Sequence, residues 1–219
     1  MTDFHTRDVK KTDLEAVARI HKASFPDRAL TQLGIGTIRR YYSWLLSGFS
    51  TSHPICAETI TGDLAGFCFA GHYGGSFIGF LRRNKGYLFL SLIIRPWLLF
   101  HQTVRAQFIV AINSMTKRMR VRRPSTPVPY PQKEYRQKPT RKRSWGILSI
   151  AVDPAYQHQG VGALLMAAVE NDAIAKGYSK LHLTVHPENA TAVRFYEGLG
   201  WERASTSVPW KGIMEKQIE

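Results

Sequence analysis

The run WGILSIAVDPAYQHQGVGA, from Trp145 to Ala163, constrains this chain more than any other stretch. Gly146–Val152 is short, apolar and rich in branched residues, and Asp153-Pro154 stops it. That combination reads as a buried strand rather than a helix segment. The loop Gln157-His158-Gln159-Gly160-Val161-Gly162 then sets two glycines at the entry to a helical pattern. The first N–H groups of a helix lack intrahelical partners, and glycine admits a ligand close to the backbone. With the helix dipole added, the loop is suited to an anion such as phosphate.

The flanking segments say what kind of fold holds this unit. Asp3–Val9 reads as an edge strand. Thr12-Asp13-Leu14-Glu15 fits a capping box opening a helix in which Leu14, Val17, Ala18, His21 and Phe25 recur at helical spacing, before Pro26 and Asp27 end it. A second helix is expected over Thr37–Leu46, with Ile38, Tyr41, Trp44 and Leu45 available for burial. Ile55–Ile60 and Leu64–Ala70 read as a hairpin around Thr61-Gly62-Asp63, and Gly66 as a bulge or a point of close packing. Downstream, helix Gly160–Lys176, strand Leu181–Val185, helix Asn189–Leu199 and strands Trp201–Val208 and Gly212–Ile218 alternate. Such alternation predicts an α/β sheet with a parallel element.

Between these halves the pattern changes. Residues 77–116 are apolar with scattered arginines and read as helical, broken at Pro96. Residues 117–143 hold eleven Lys/Arg, one acid and five prolines, so they carry +10 of the formal +14 and cannot bury much apolar surface. The high pI therefore describes one segment. Cys56 and Cys68 lie in apolar runs and read as small buried hydrophobes, not as a disulfide or a zinc pair. MTDFHTRDVKK has no apolar core of a signal peptide, and Tyr87–Ile94 is too short to span a bilayer. A cytoplasmic location is expected.

On these residues the chain resembles the GNAT N-acetyltransferase superfamily. The family pattern is Gln/Arg-x-x-Gly-x-Gly/Ala after a strand, here Gln157 to Gly162. HPENATAVRFYEGLGW is similar to the family's second motif, an Asn seven residues before a helix-borne Tyr, here Asn189 and Tyr196. The resemblance covers residues 1–76 and 145–219. It implies a GNAT fold over residues 1–219, a mixed central sheet flanked by helices. The helical and basic insertion, residues 77–144, falls between the third and fourth strands. It also implies acetyl transfer from acetyl-CoA to a primary amine, without a metal. The amine would belong to a small molecule such as an amino sugar, an amino acid or a polyamine, or to a protein.

In that reading the backbone N–H groups of Gln157, His158, Gln159, Gly160, Val161, Gly162 and Ala163 hold the pyrophosphate. Ile150, Ala151 and Val152 lie beside the pantetheine, and an N–H near Ile150 or Ala151 polarises the thioester carbonyl. Asn189 bonds the pantetheine arm, and Tyr196 is the general acid toward the departing thiolate. Some family members carry a Glu base on the central strand; Leu148–Val152 contains no acid. Glu58, His72 and His182 are the candidate bases, beside a water chain. The rival class is a non-catalytic module that keeps the CoA fold and binds nucleic acid or an anionic membrane surface through residues 117–143. In preference to that rival, residues 77–119 are read as helices added over the acceptor cleft or as a contact between two copies.

Overall fold

The computed structural model describes residues 3–47, 52–71, 76–94, 144–204 and 209–218. Strand β1 (Phe4–Asp8) leads through a short 3-10 turn, Lys11–Asp13, into α1 (Leu14–Ser24), α2 (Ala29–Gln32) and α3 (Ile35–Leu46). Next come the hairpin β2 (Ser52–Thr59) and β3 (Leu64–Gly71), then α4 (Ser76–Arg83) and α5 (Lys85–Ile94). The second half runs β4 (Ser144–Val152), α6 (Val161–Ala175), β5 (Lys180–Thr184), α7 (Ala190–Gly198), β6 (Glu202–Arg203) and β7 (Ile213–Gln217). Among the described residues the strands form one mixed sheet of seven, ordered β1-β2-β3-β4-β5-β7-β6, in which only β4 and β5 pair in parallel. This is the expected α/β architecture, with β1 on an edge. Pro96 and the basic run 117–143 lie outside the described residues.

That β3 lies inside the sheet is visible in its composition. LAGFCFAG is apolar at every position because both faces of the sheet are covered. Ala65, Cys68 and Ala70 point into a cluster shared with α6 and α7, and Phe67 and Phe69 into one shared with α1 and α3. Gly66 is a point of close packing. A Cβ there would stand 2.9 Å from the Ala151 carbonyl oxygen and 3.2 Å from Val161 and Leu165 of α6. The hairpin bulge falls opposite it, between Ala57 and Glu58.

A second irregularity bears on the site. The β3–β4 register steps from Phe69↔Ser149 to Ala70↔Ile147, leaving Leu148 as the extra residue. Leu148 and Ser149 consequently both face α1 and α3, while Ile147 and Ile150 face α6.

The start of α1 departs from the expected capping box. Asp13, not Thr12, closes the turn, its carboxylate accepting from the Lys10 N–H at 2.7 Å. The same carboxylate meets the Arg7 guanidinium at 2.7 Å, and Arg7 also grips Glu58 at 2.6 Å. One half-buried cation thus joins β1, β2 and the entry to α1, and its own proton is held more tightly for it.

Candidate active site

Strand β4 has two halves. Ser144–Gly146 pairs with Lys180–His182 of β5, and there the pairing stops. β5 continues along β7, and Val185 donates to the Gly212 carbonyl at 2.8 Å. Among the described residues, Ile147–Val152 therefore has β3 on one side and no strand partner on the other. Asp153 donates to the Ala65 carbonyl at 2.9 Å, so the backbone groups of Asp153 and, two residues back, Ala151 face β3. Strand alternation turns those of Ile150 and Val152 to the open side. The Val152 carbonyl there accepts from Ser24 Oγ and Gln157 Nε2, both at 3.3 Å.

The loop after β4 is shaped by its backbone. Asp153 accepts from Ala155 N at 3.0 Å and starts a single 3-10 turn, Pro154–Tyr156. His158 (φ 61°) and Gly160 (φ 83°) are left-handed, and His158 is the one described non-glycine residue in that region. Successive turns of this hand draw backbone N–H groups toward a common point. The first bond inside α6 runs from Leu164 N to the Gly160 carbonyl at 3.0 Å. The N–H groups of Val161, Gly162 and Ala163 thus have no acceptor within the helix. Gln157 and Gln159 bond back to the carbonyls of Val152 and Ala155, so their side chains brace the loop.

The two glycines do different jobs. Gly160 supplies the left-handed turn, with nothing within 4 Å of where its Cβ would lie. A Cβ on Gly162 would stand 3.1 Å from the Phe195 ring, so this residue is small to let α7 approach α6. That contact carries the second motif toward the first. Asn189 caps α7, its side chain accepting from Ala192 N at 3.1 Å. Tyr196 is 8% exposed, with its ring 5.2 Å from Phe195 and 6.0 Å from Trp201. It shares one cluster with Val161, and Ile150 and Val152 pack against that cluster; Ala151 lies in the other.

Three residues and a water chain are the candidates for the proton acceptor. Glu58 is bound to Arg7, and that hydrogen bond holds its carboxyl below the usual range, the wrong direction for a base at neutral pH. His72 lies outside the described residues. His182 sits on β5 opposite Glu215 of β7. A group not found from the sequence is buried behind β4: Ser149 Oγ lies 2.9 Å from Tyr42 Oη, which lies 2.7 Å from His21 Nδ1. These residues are 107 and 21 positions apart, and each looked like an ordinary occupant of its element. Both cysteines are free and buried; burial pushes the Cys56 thiol to about 11 and Cys68 higher still. Among the described residues no group of three or more His, Cys, Asp or Glu is placed to hold a metal, and no helix is long and apolar enough to cross a membrane.

The mixed sheet thus parts between β4 and β5, with the N-terminus of α6 at the end of the open half-strand. The model of the acetyltransferase (GNAT) family matches residues 37–201, and the chain belongs to that family. Over 59 residues it is 39% identical to the ribosomal protein bS18-alanine N-acetyltransferase of Escherichia coli K12, a match covering 27% of this chain and 40% of that enzyme. The crystal structure of the S18-alanine N-acetyltransferase from Escherichia coli superposes with a TM-score of 0.54 at 16% identity, covering 99% of this chain and 95% of that one. The PaiA N-acetyltransferase of Thermoplasma acidophilum, solved with coenzyme A, gives 0.55 at 14% identity, covering 98% and 99%. At these identities the structures share the fold.

Proposed function

We propose that this acetyltransferase moves the acetyl group of acetyl-CoA to a primary amine. The observation that carries the reading is the half-strand Ile147–Val152, open on one side among the described residues and leading to helix N–H groups with no acceptor within α6. A pantetheine arm is peptide-like and suits the backbone groups of Ile150 and the Val152 N–H on that edge, the Val152 carbonyl being held by Ser24 and Gln157. A pyrophosphate suits the N–H groups of Gln157 to Ala163. Acetyl-CoA supplies an acyl group already activated as a thioester. The Ile150 N–H, directed to the open side, is the donor in this reading that polarises the thioester carbonyl; one such donor is worth about 3 kcal/mol. Tyr196 gives its proton to the departing sulfur, and Asn189 combines capping α7 with a contact to the arm. Ala151 contributes its position in the strand rather than a donor, because its N–H faces β3.

The acceptor is proposed to be a primary amine of a peptide or small molecule. The Escherichia coli relative named above acts on an alanine of a ribosomal protein, which puts an N-terminal alanyl peptide first in a panel with spermidine, glucosamine and lysine. The test is thermal stabilisation by acetyl-CoA, followed by thiol release with each amine. Stabilisation with thiol release supports the reading. No stabilisation at saturating acetyl-CoA overturns it.

A further inference from the structure

We infer that the Ser149 hydroxyl is the hydrogen-bonding contact for the acceptor amine, set in place by Tyr42 and His21 as positioning residues; this rests on the acetyl-transfer reading above. Tyr42 is fully buried and His21 is 5% exposed, among Phe25, Phe67, Phe69 and Tyr41. Placing two hydroxyls and an imidazole against such rings is unfavourable unless they bond one another, and phenylalanine at position 42 would fill the same space. The chain they form has one outlet, Ser149, which is half-buried and stands on the open half of β4. At the other end, His21 Nε2 is buried without a partner.

The bulge at Leu148 decides which side of the strand Ser149 serves. It turns Ser149 toward α1 and α3, whereas the phosphate loop belongs to α6 on the opposite face. Cofactor and Ser149 thus meet β4 from opposite faces, with the Ile150 N–H at the edge between them. Whichever way the hydrogen bonds along Ser149, Tyr42 and His21 run, the Ser149 oxygen keeps a lone pair for an amine N–H.

The chain positions the amine and does not deprotonate it. Burial, with Arg28 nearby, holds the His21 imidazole down to about 4. A proton from an ordinary ammonium would sit there less readily than on water-exposed groups, and the imidazole stays neutral at pH 7.

The experiment uses the full chain, acetyl-CoA and the panel amine with the highest turnover. Ser149→Ala is expected to raise KM for the amine about tenfold while KM for acetyl-CoA is unchanged. Tyr42→Phe should produce the same split, the double variant should add nothing, and Ser149→Thr should restore amine affinity. A purely structural role for Tyr42 would lower Tm without separating the two KM values. An unchanged amine KM in Tyr42→Phe, or a rise in acetyl-CoA KM instead, overturns the inference and leaves the acetyl-transfer reading standing. A wild-type chain that neither binds acetyl-CoA nor releases thiol with any amine overturns both.

Discussion

On one face of the sheet, α6 and α7 pack Val161, Leu165, Met166, Val169 and Val193 in a cluster that adjoins the backbone groups at the starts of both helices. On the other, α1 and α3 pack Tyr41, Tyr42, Phe67, Phe69 and Phe80 around a side-chain hydrogen-bond chain. The difference is physical. A phosphate or pantetheine can be held by the main chain, whatever side chains surround it. An amine met through Ser149 depends on three particular side chains, each from a different element. Substitutions should thus separate the faces: those on the first alter turnover or leave cofactor binding intact, and those on the second alter amine recognition.

The largest separation is expected from Tyr196→Phe. Removing a general acid lowers kcat by about 10²- to 10⁴-fold, with acetyl-CoA stabilisation of the fold retained. Loss of that stabilisation instead would show that the hydroxyl helps hold the cofactor, since phenylalanine keeps the buried ring. Leu165→Ala and Phe67→Ala, both fully buried and on opposite faces, should cost about 2–5 and 3–5 kcal/mol in urea unfolding. A single transition for both variants would make the two clusters one cooperative unit; two transitions would sharpen the division.

Next is the pH dependence carried by the aromatic face. His21 has an ordinary value of 6.5 and is pushed down to about 4 by burial. Between those values the unfolded chain binds more protons than the folded one, so stability is complete above about 6.5 and falls as pH drops toward 4. The loss is on the order of 3 kcal/mol. Thermal melts of the wild type and His21→Leu across this window check it: the slope should flatten in the variant. Further acidification acts on Glu58, lowered by its bond to Arg7. It acts too on Asp13, where burial raises the value but Arg7 and the Lys10 N–H together bring it below normal.

The smallest effect is expected at Gln157→Ala and Gln159→Ala. Both side chains bond carbonyls of their own loop, so acetyl-CoA affinity should change by less than about threefold. A larger loss in isothermal titration would mean that these side chains, and not only the backbone, reach the ligand.

Much of the first face was legible before any coordinates. Gln157 to Gly162 and Asn189 to Tyr196 are contiguous runs, and turn chemistry, helix caps and strand alternation are set by neighbours in sequence. The GNAT frame followed from them. Even there, a second reason for Gly162 was hidden, because it depends on Phe195, a ring two elements away. The start of α1 was misassigned for a similar reason: Asp13 is drawn into a cluster with Arg7 and Glu58 that joins three elements.

By itself the sequence determined the strand-loop-helix unit, the order of helices and strands around it and the family, since each rests on local periodicity and on residues at fixed short spacings. Only the tertiary structure decided that β4 is open beyond Gly146, that Ile150 rather than Ala151 directs its N–H there, and that Ser149 is backed by Tyr42 and His21. Those features depend on register, on a one-residue bulge at Leu148 and on packing between segments far apart in the chain. A shift of one residue in a strand reverses which face each side chain takes, and no local pattern in LSIAV records that shift.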